Sequence, residues 1–207
     1  MSDSRQRELE HSWKQTGSEE EEAAFLLERV RAGDLELREL ELAAFVGHAA
    51  AVVATTTPAP QFGSDLANWA EALAQFGKEA CARTAICVTW ISYEALELGL
   101  PDDALSAAEA WAACPCLEHE RAADLNPDEA DIRTDQSEEA ANVVAALEED
   151  DSYGPGFYLS CCLDHVPKER LPEARDRIRS ELSSWALGSG DPVRARVKAR
   201  QMKVADG

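Results

Sequence analysis

The run Thr84-Ala-Ile-Cys-Val-Thr-Trp-Ile-Ser-Tyr93 carries no charge in a chain of which 29% is Asp, Glu, Lys or Arg. A helix that is apolar nearly all round has no face to give to water, so other elements must surround it. The pattern predicts one long helix from about Lys78 to Leu98, closed by Gly99 and Pro101. Everything else in the chain can then be read for single apolar stripes able to pack against such a centre.

Several segments offer one. After Gly17, Ser18 and Glu21 have the spacing of a capping box, with Ala23, Leu26, Leu27 and Val30 on one face and Gly33 as the stop. A second helix is expected from about Asp34, turning Leu37, Leu40 and Ala44 inward and ending at Gly47, and the Ala-rich stretch from His48 makes a third. Leu66, Trp69, Ala70 and Leu73 form a stripe running to Gly77, and Leu105, Ala108, Trp111 and Ala112 form another after a cap at Asp102. Ala140, Val143, Val144 and Leu147 repeat the pattern from Ser137. Tyr153-Gly-Pro-Gly156 reads as a turn, followed by a short apolar helix from Phe157 to Leu163. The longest stripe, Leu171, Ala174, Ile178, Leu182 and Trp185, stops at Gly188, and Asp191-Pro192 launches a basic final helix.

No alternation of period two is long enough to be a strand. The expected fold is therefore all-α, an irregular multi-helix array or bundle of about ten helices with no sheet. The Pro-containing stretch 58–63 reads as a linker between an N-terminal helical segment, 1–57, and a main helical domain, 64–207, with an acidic insert at 124–136.

Charge narrows the range of functions. The net charge is −20, unevenly distributed: residues 111–151 hold 13 acids against 2 bases, whereas 191–207 hold 2 against 5. Such a field repels nucleic acid and anionic membrane and attracts basic protein surfaces in a salt-sensitive way. The basic end, Arg194, Arg196, Lys198, Arg200 and Lys203, is expected to fold back on the acidic middle or to stay solvated. The uncharged run from Leu42 to Ser64 is too rich in Thr and Pro to span a bilayer. The polar N-terminus leads into no apolar signal core, which points to a cytoplasmic protein with its six cysteines reduced.

Chemistry has few footholds. Cys116 and His119, with the echo Cys162 and His165, each place a thiol three residues before an imidazole, and two such pairs would complete a zinc tetrahedron if they met. Buried thiols are the plainer reading, and neither cofactor nor metal is expected. A cysteine nucleophile based on His119 or His165 has no local signature, and no phosphate loop, nucleophile elbow or dinucleotide fingerprint occurs. The chain reads as a binding protein and not an enzyme.

Two stretches carry a resemblance. Glu22-Ala-Ala-Phe-Leu-Leu-Glu-Arg-Val-Arg-Ala-Gly-Asp-Leu35, continued by Leu40-Glu-Leu-Ala-Ala-Phe-Val-Gly-His48, resembles a helical segment at the front of many uncharacterised bacterial proteins. Pro101-Asp-Asp103, Ala107-Ala-Glu-Ala-Trp111 and Ala113-Cys-Pro-Cys116 resemble a helical family of immunity proteins for bacterial polymorphic toxins. The chain departs from that family at Ala104-Leu-Ser106, where an Arg-Pro-Arg-like element is expected, and residues 124–151 have no counterpart in it.

The resemblance implies inhibition by occlusion, here of a basic toxin or effector. The acidic residues expected to meet that partner are Asp124, Asp128, Glu129, Asp131, Asp135, Glu148, Glu149, Asp150 and Asp151. The alternative from a different class is a helical adaptor or scaffold that holds a cellular protein in an apolar groove.

Overall fold

A computed structural model describes residues 2–62, 65–95, 103–123 and 154–205. These form eleven α-helices and no strand: α1 (Ser2–Thr16), α2 (Glu19–Ala32), α3 (Leu37–Phe45), α4 (Ala49–Thr55), α5 (Leu66–Ala74), α6 (Lys78–Ala95), α7 (Asp103–Ala113), α8 (Leu117–Ala123), α9 (Pro155–Asp164), α10 (Leu171–Ala186) and α11 (Pro192–Ala205). A 3-10 turn, Lys168–Arg170, leads into α10. The helix expected from Ser137 and the stops at Gly99 and Pro101 lie outside the described residues, as does the cap at Asp102.

The helices fall into two compact units. The first takes Met1–Pro60 together with Leu182–Gly190, so it draws on the end of α10 as well as on the N-terminal segment; the second takes Gln61–Glu181 and Asp191–Gly207.

In the first unit α2 packs on α1 and α4. Ser18 accepts from the Glu21 backbone N–H, and Gly33 ends α2 at φ 81°, a left-handed conformation that a Cβ would strain. Leu26, Leu40, Ala43 and Ala51 form the core with Leu187, and Arg29 Nη1 donates to the Leu187 carbonyl at 2.7 Å. Two sequence expectations change here. The Asp34 N–H closes the end of α2 by donating to Arg29 O, so α3 starts later, at Leu37, capped by a Glu36/Glu39 box. With that start Leu37 sits on the outer face, 54% exposed, and Leu35 is buried instead. Helix α1 has no counterpart in the sequence reading; it is polar over most of its surface and is joined to α2 by Trp13 stacked on Phe25, ring centroids 5.6 Å apart.

The second unit is built around α6, buried from Ala80 to Thr89 without a break. Helices α5, α7 and α9 pack on it, and α11 packs on α7. Trp69, Ala70 and Leu73 of α5, Leu105, Ala108 and Ala112 of α7, and Leu159 and Leu163 of α9 are all buried, as their spacing implies. Gly154 to Gly156, expected within a turn, instead begin a helix. Gly154 caps α9 and Pro155 takes its first position, which leaves Gly156 inside the helix and against α5. A Cβ on Gly156 would stand 3.0 Å from Glu71 Cα and 3.3 Å from both Ala70 O and Ala74 Cβ, so the two backbones approach through the missing side chain.

Candidate functional site

The nine acidic residues expected to meet a partner, from Asp124 to Asp151, lie outside the described residues, which resume at Gly154 after Ala123. What the structure defines is how the described positive charge is disposed.

Arg83 of α6 is 3% exposed. It donates through Nη1 and Nη2 to the two Asp191 carboxylate oxygens at 2.9 and 3.0 Å, through Nε to Glu79 at 3.0 Å, and through Nη2 to Ala112 O at 2.5 Å. Burial pushes the Asp191 carboxyl up, but the Arg83 guanidinium and the Arg194 backbone N–H outweigh it and hold it below the ordinary value of 3.8. Asp191 also accepts from that Arg194 N–H at 3.0 Å, so one carboxylate caps α11 and anchors it to α6.

Glu109 of α7 is fully buried. It accepts from Trp90 Nε1 at 2.9 Å, from Arg196 Nε at 2.9 Å and from Arg200. Arg196 also bridges both Glu181 oxygens, at 2.9 and 3.0 Å. Burial lowers the Arg196 pKa, and the Glu181 and Glu109 carboxylates more than reverse it. Arg177 of α10 donates to Glu94 at 2.9 Å, and Arg170, in the 3-10 turn before α10, pairs with Glu173. The basic end therefore does not stay wholly solvated: α11 docks on α7 through Glu109, and of its five bases Arg196 and Arg200 are partly buried while Arg194, Lys198 and Lys203 are exposed; most of the acidic middle lies outside the described residues. Glu109 escaped the sequence reading because it looks like one more surface acid; the available signal was its place beside Ala108 in an apolar stripe, with Arg196 and Arg200 four apart on a later helix.

The cysteines separate into two kinds. Cys81 and Cys87 are buried in α6, where desolvation pushes the Cys81 thiol up to about 12 and Cys87 further still. The segment between α7 and α8 behaves differently. Lys78, buried on α6 and pairing with Glu120, ties α8 to α6 below it. Cys114 is exposed at the end of α7, and Cys116 opens α8, its carbonyl accepting from Glu120 N at 2.9 Å. One turn on, His119 Nδ1 lies 3.3 Å from Cys116 Sγ and 3.1 Å from Cys114 O. The Cys114, Cys116 and His119 donor atoms all lie within 4.8 Å of one another. A hydrogen bond and the charge of Cys116 raise the Cys114 thiol above its ordinary value. Cys162 and His165 are not in this group: Cys162 is buried, and His165 Nδ1 sits 2.8 Å from Cys161 O. Of the two thiol–imidazole pairs read from the sequence, the first is assembled and takes Cys114 as its third donor.

No family model, curated protein or solved structure matches the chain. No helix among the described residues is long and apolar enough to cross a membrane.

Proposed function

We propose that the chain is a non-catalytic, cytoplasmic, acidic binding protein that neutralises a basic toxin or effector by covering it, in the manner of an immunity protein. The observation that carries this reading is the disposition of charge. Arg83, Arg170, Arg177, Arg196 and Arg200 are engaged by the protein's own carboxylates, and over the whole chain acids exceed bases by twenty. The residues assigned to the partner are Asp124, Asp128, Glu129, Asp131, Asp135 and Glu148 to Asp151. A polyanionic surface of this kind speeds encounter with a basic protein and gives a contact that salt weakens.

The test is affinity capture of the tagged protein from its native lysate at low and high salt, with co-purifying proteins identified by mass spectrometry. One basic protein, retained at low salt and released at high salt, is the expected result. Several partners, or one indifferent to salt, would replace this reading with that of an adaptor holding its partner in an apolar groove.

A further inference from the structure

We propose that Cys114, Cys116 and His119 form a binding site for a single thiophilic divalent cation of the zinc class, with a fourth coordination position open to solvent or to an incoming donor.

The argument begins with distance. Bonds of about 2.3 Å to sulfur and about 2.0 Å to nitrogen, at tetrahedral angles, put a thiolate and an imidazole nitrogen about 3.5 Å apart and two thiolates about 3.8 Å apart. Cys116 Sγ and His119 Nδ1 stand 3.3 Å apart, and no pair of the three donor atoms exceeds 4.8 Å. Closing on a cation therefore takes rotamer adjustments and no movement of the helices. All three donors come from one stretch of six residues, so the site does not depend on distant parts of the chain meeting.

The donors also arrive with their backbone already set. Cys114 N donates to Ala110 O and Trp111 O at the end of α7, Pro115 fixes the φ between the two thiols, and Cys116 O begins the hydrogen bonding of α8. The ordering that a flexible peptide would undergo on binding is largely complete beforehand.

Charge and softness select the occupant. Two thiolates side by side repel each other; a dication between them removes that repulsion and, with a neutral imidazole, gives a site of zero net charge. Sulfur and imidazole donors favour zinc-like ions over magnesium or calcium, which take oxygen. Cys114 is exposed and Cys116 and His119 are partly so, which leaves the fourth position reachable from solvent. Three protein donors and one open position is the arrangement of zinc sites that accept an outside ligand.

Cobalt(II) titrated into the full-length, reduced protein supplies the test, read by thiolate-to-cobalt charge-transfer absorption. The expected result is saturation at one equivalent, displacement by zinc and indifference to magnesium. Cys116→Ser and His119→Ala should each abolish saturation at one equivalent, while Cys161→Ser leaves it unchanged. Circular dichroism on each variant checks that helicity is retained, and Cys114→Ser, at an exposed position, gives the same readout without touching packed atoms. Absence of the band at one equivalent would overturn the proposal. So would a band that survives Cys116→Ser and Cys114→Ser, or one lost in Cys161→Ser.

Discussion

The Arg83 guanidinium grips both carboxylate oxygens of Asp191, at 2.9 and 3.0 Å, and so joins the second turn of the buried helix α6 to the first residue before α11. Removing the carboxylate takes away a helix cap and one arm of a nearly buried cation at once. Asp191→Ala is expected to lower stability by about 1–3 kcal/mol in urea unfolding, with no change in the stoichiometry of cobalt binding.

The same contact sets a pH dependence. The Asp191 carboxyl is held below its ordinary value of 3.8 in the folded chain. Its stabilising contribution is therefore complete above that value and is lost as pH falls through the lower, folded one. The acid unfolding of Asp191→Asn should accordingly be less steep below about pH 3.8 than that of the parent. Equal slopes would mean that the pair contributes no proton linkage.

Glu109 is expected to be more sensitive to substitution than any surface acid. Glu109→Ala leaves Arg196 and Arg200 facing a site that has lost its charge, and should cost about 3–5 kcal/mol. Replacing Glu109, Arg196 and Arg200 together by Leu or Met should recover much of that loss, because the desolvation of all three charges disappears with them. A triple variant as unstable as Glu109→Ala would show that the packing of α11, and not the unpaired charge, dominates.

Thiol accessibility gives a direct check on the two kinds of cysteine. In the native state Cys114 should react first with a disulfide reagent, while Cys81 and Cys87 stay unmodified until the protein unfolds, since burial keeps their thiols protonated. Peptide mapping after brief labelling reads this out; native labelling of Cys87 would place α6 nearer the surface than the structure has it.

For the proposed partner, converting Asp128, Glu129, Asp131 and Asp135 to their amides should weaken capture and flatten its salt dependence. Unchanged capture would move the contact away from this stretch.

The sequence was most informative where side-chain type and position agree. The uncharged run at Thr84–Tyr93 foretold a buried axis, and the stripes of α5 and α7 foretold which faces turn toward it. It was least informative where the outcome rests on partners far along the chain. Helix α1 has little apolar surface of its own, and it is held to α2 by Trp13 on Phe25 and by Ser12 and Thr16, which donate to Glu21. Leu37 looked like core, yet a start of α3 set by Glu36 turns it outward. Glu109 and Arg196 are unremarkable until a later helix brings them together, whereas the Cys116–His119 pair was visible because its geometry is local.

Gly156 leads furthest from this chain. Helix α9 meets α5 backbone to backbone there, and even one methyl group would press on Glu71 Cα. Gly156→Leu should consequently cost at least about 1–3 kcal/mol through overpacking. A distant cousin could exchange nearly every stripe residue for another of similar bulk and keep its shape, but it could not keep this crossing while carrying a large side chain at the same place. When overall likeness has faded below detection, a glycine just inside a helix that starts with proline, facing an Ala-rich helix, is the kinship mark to look for.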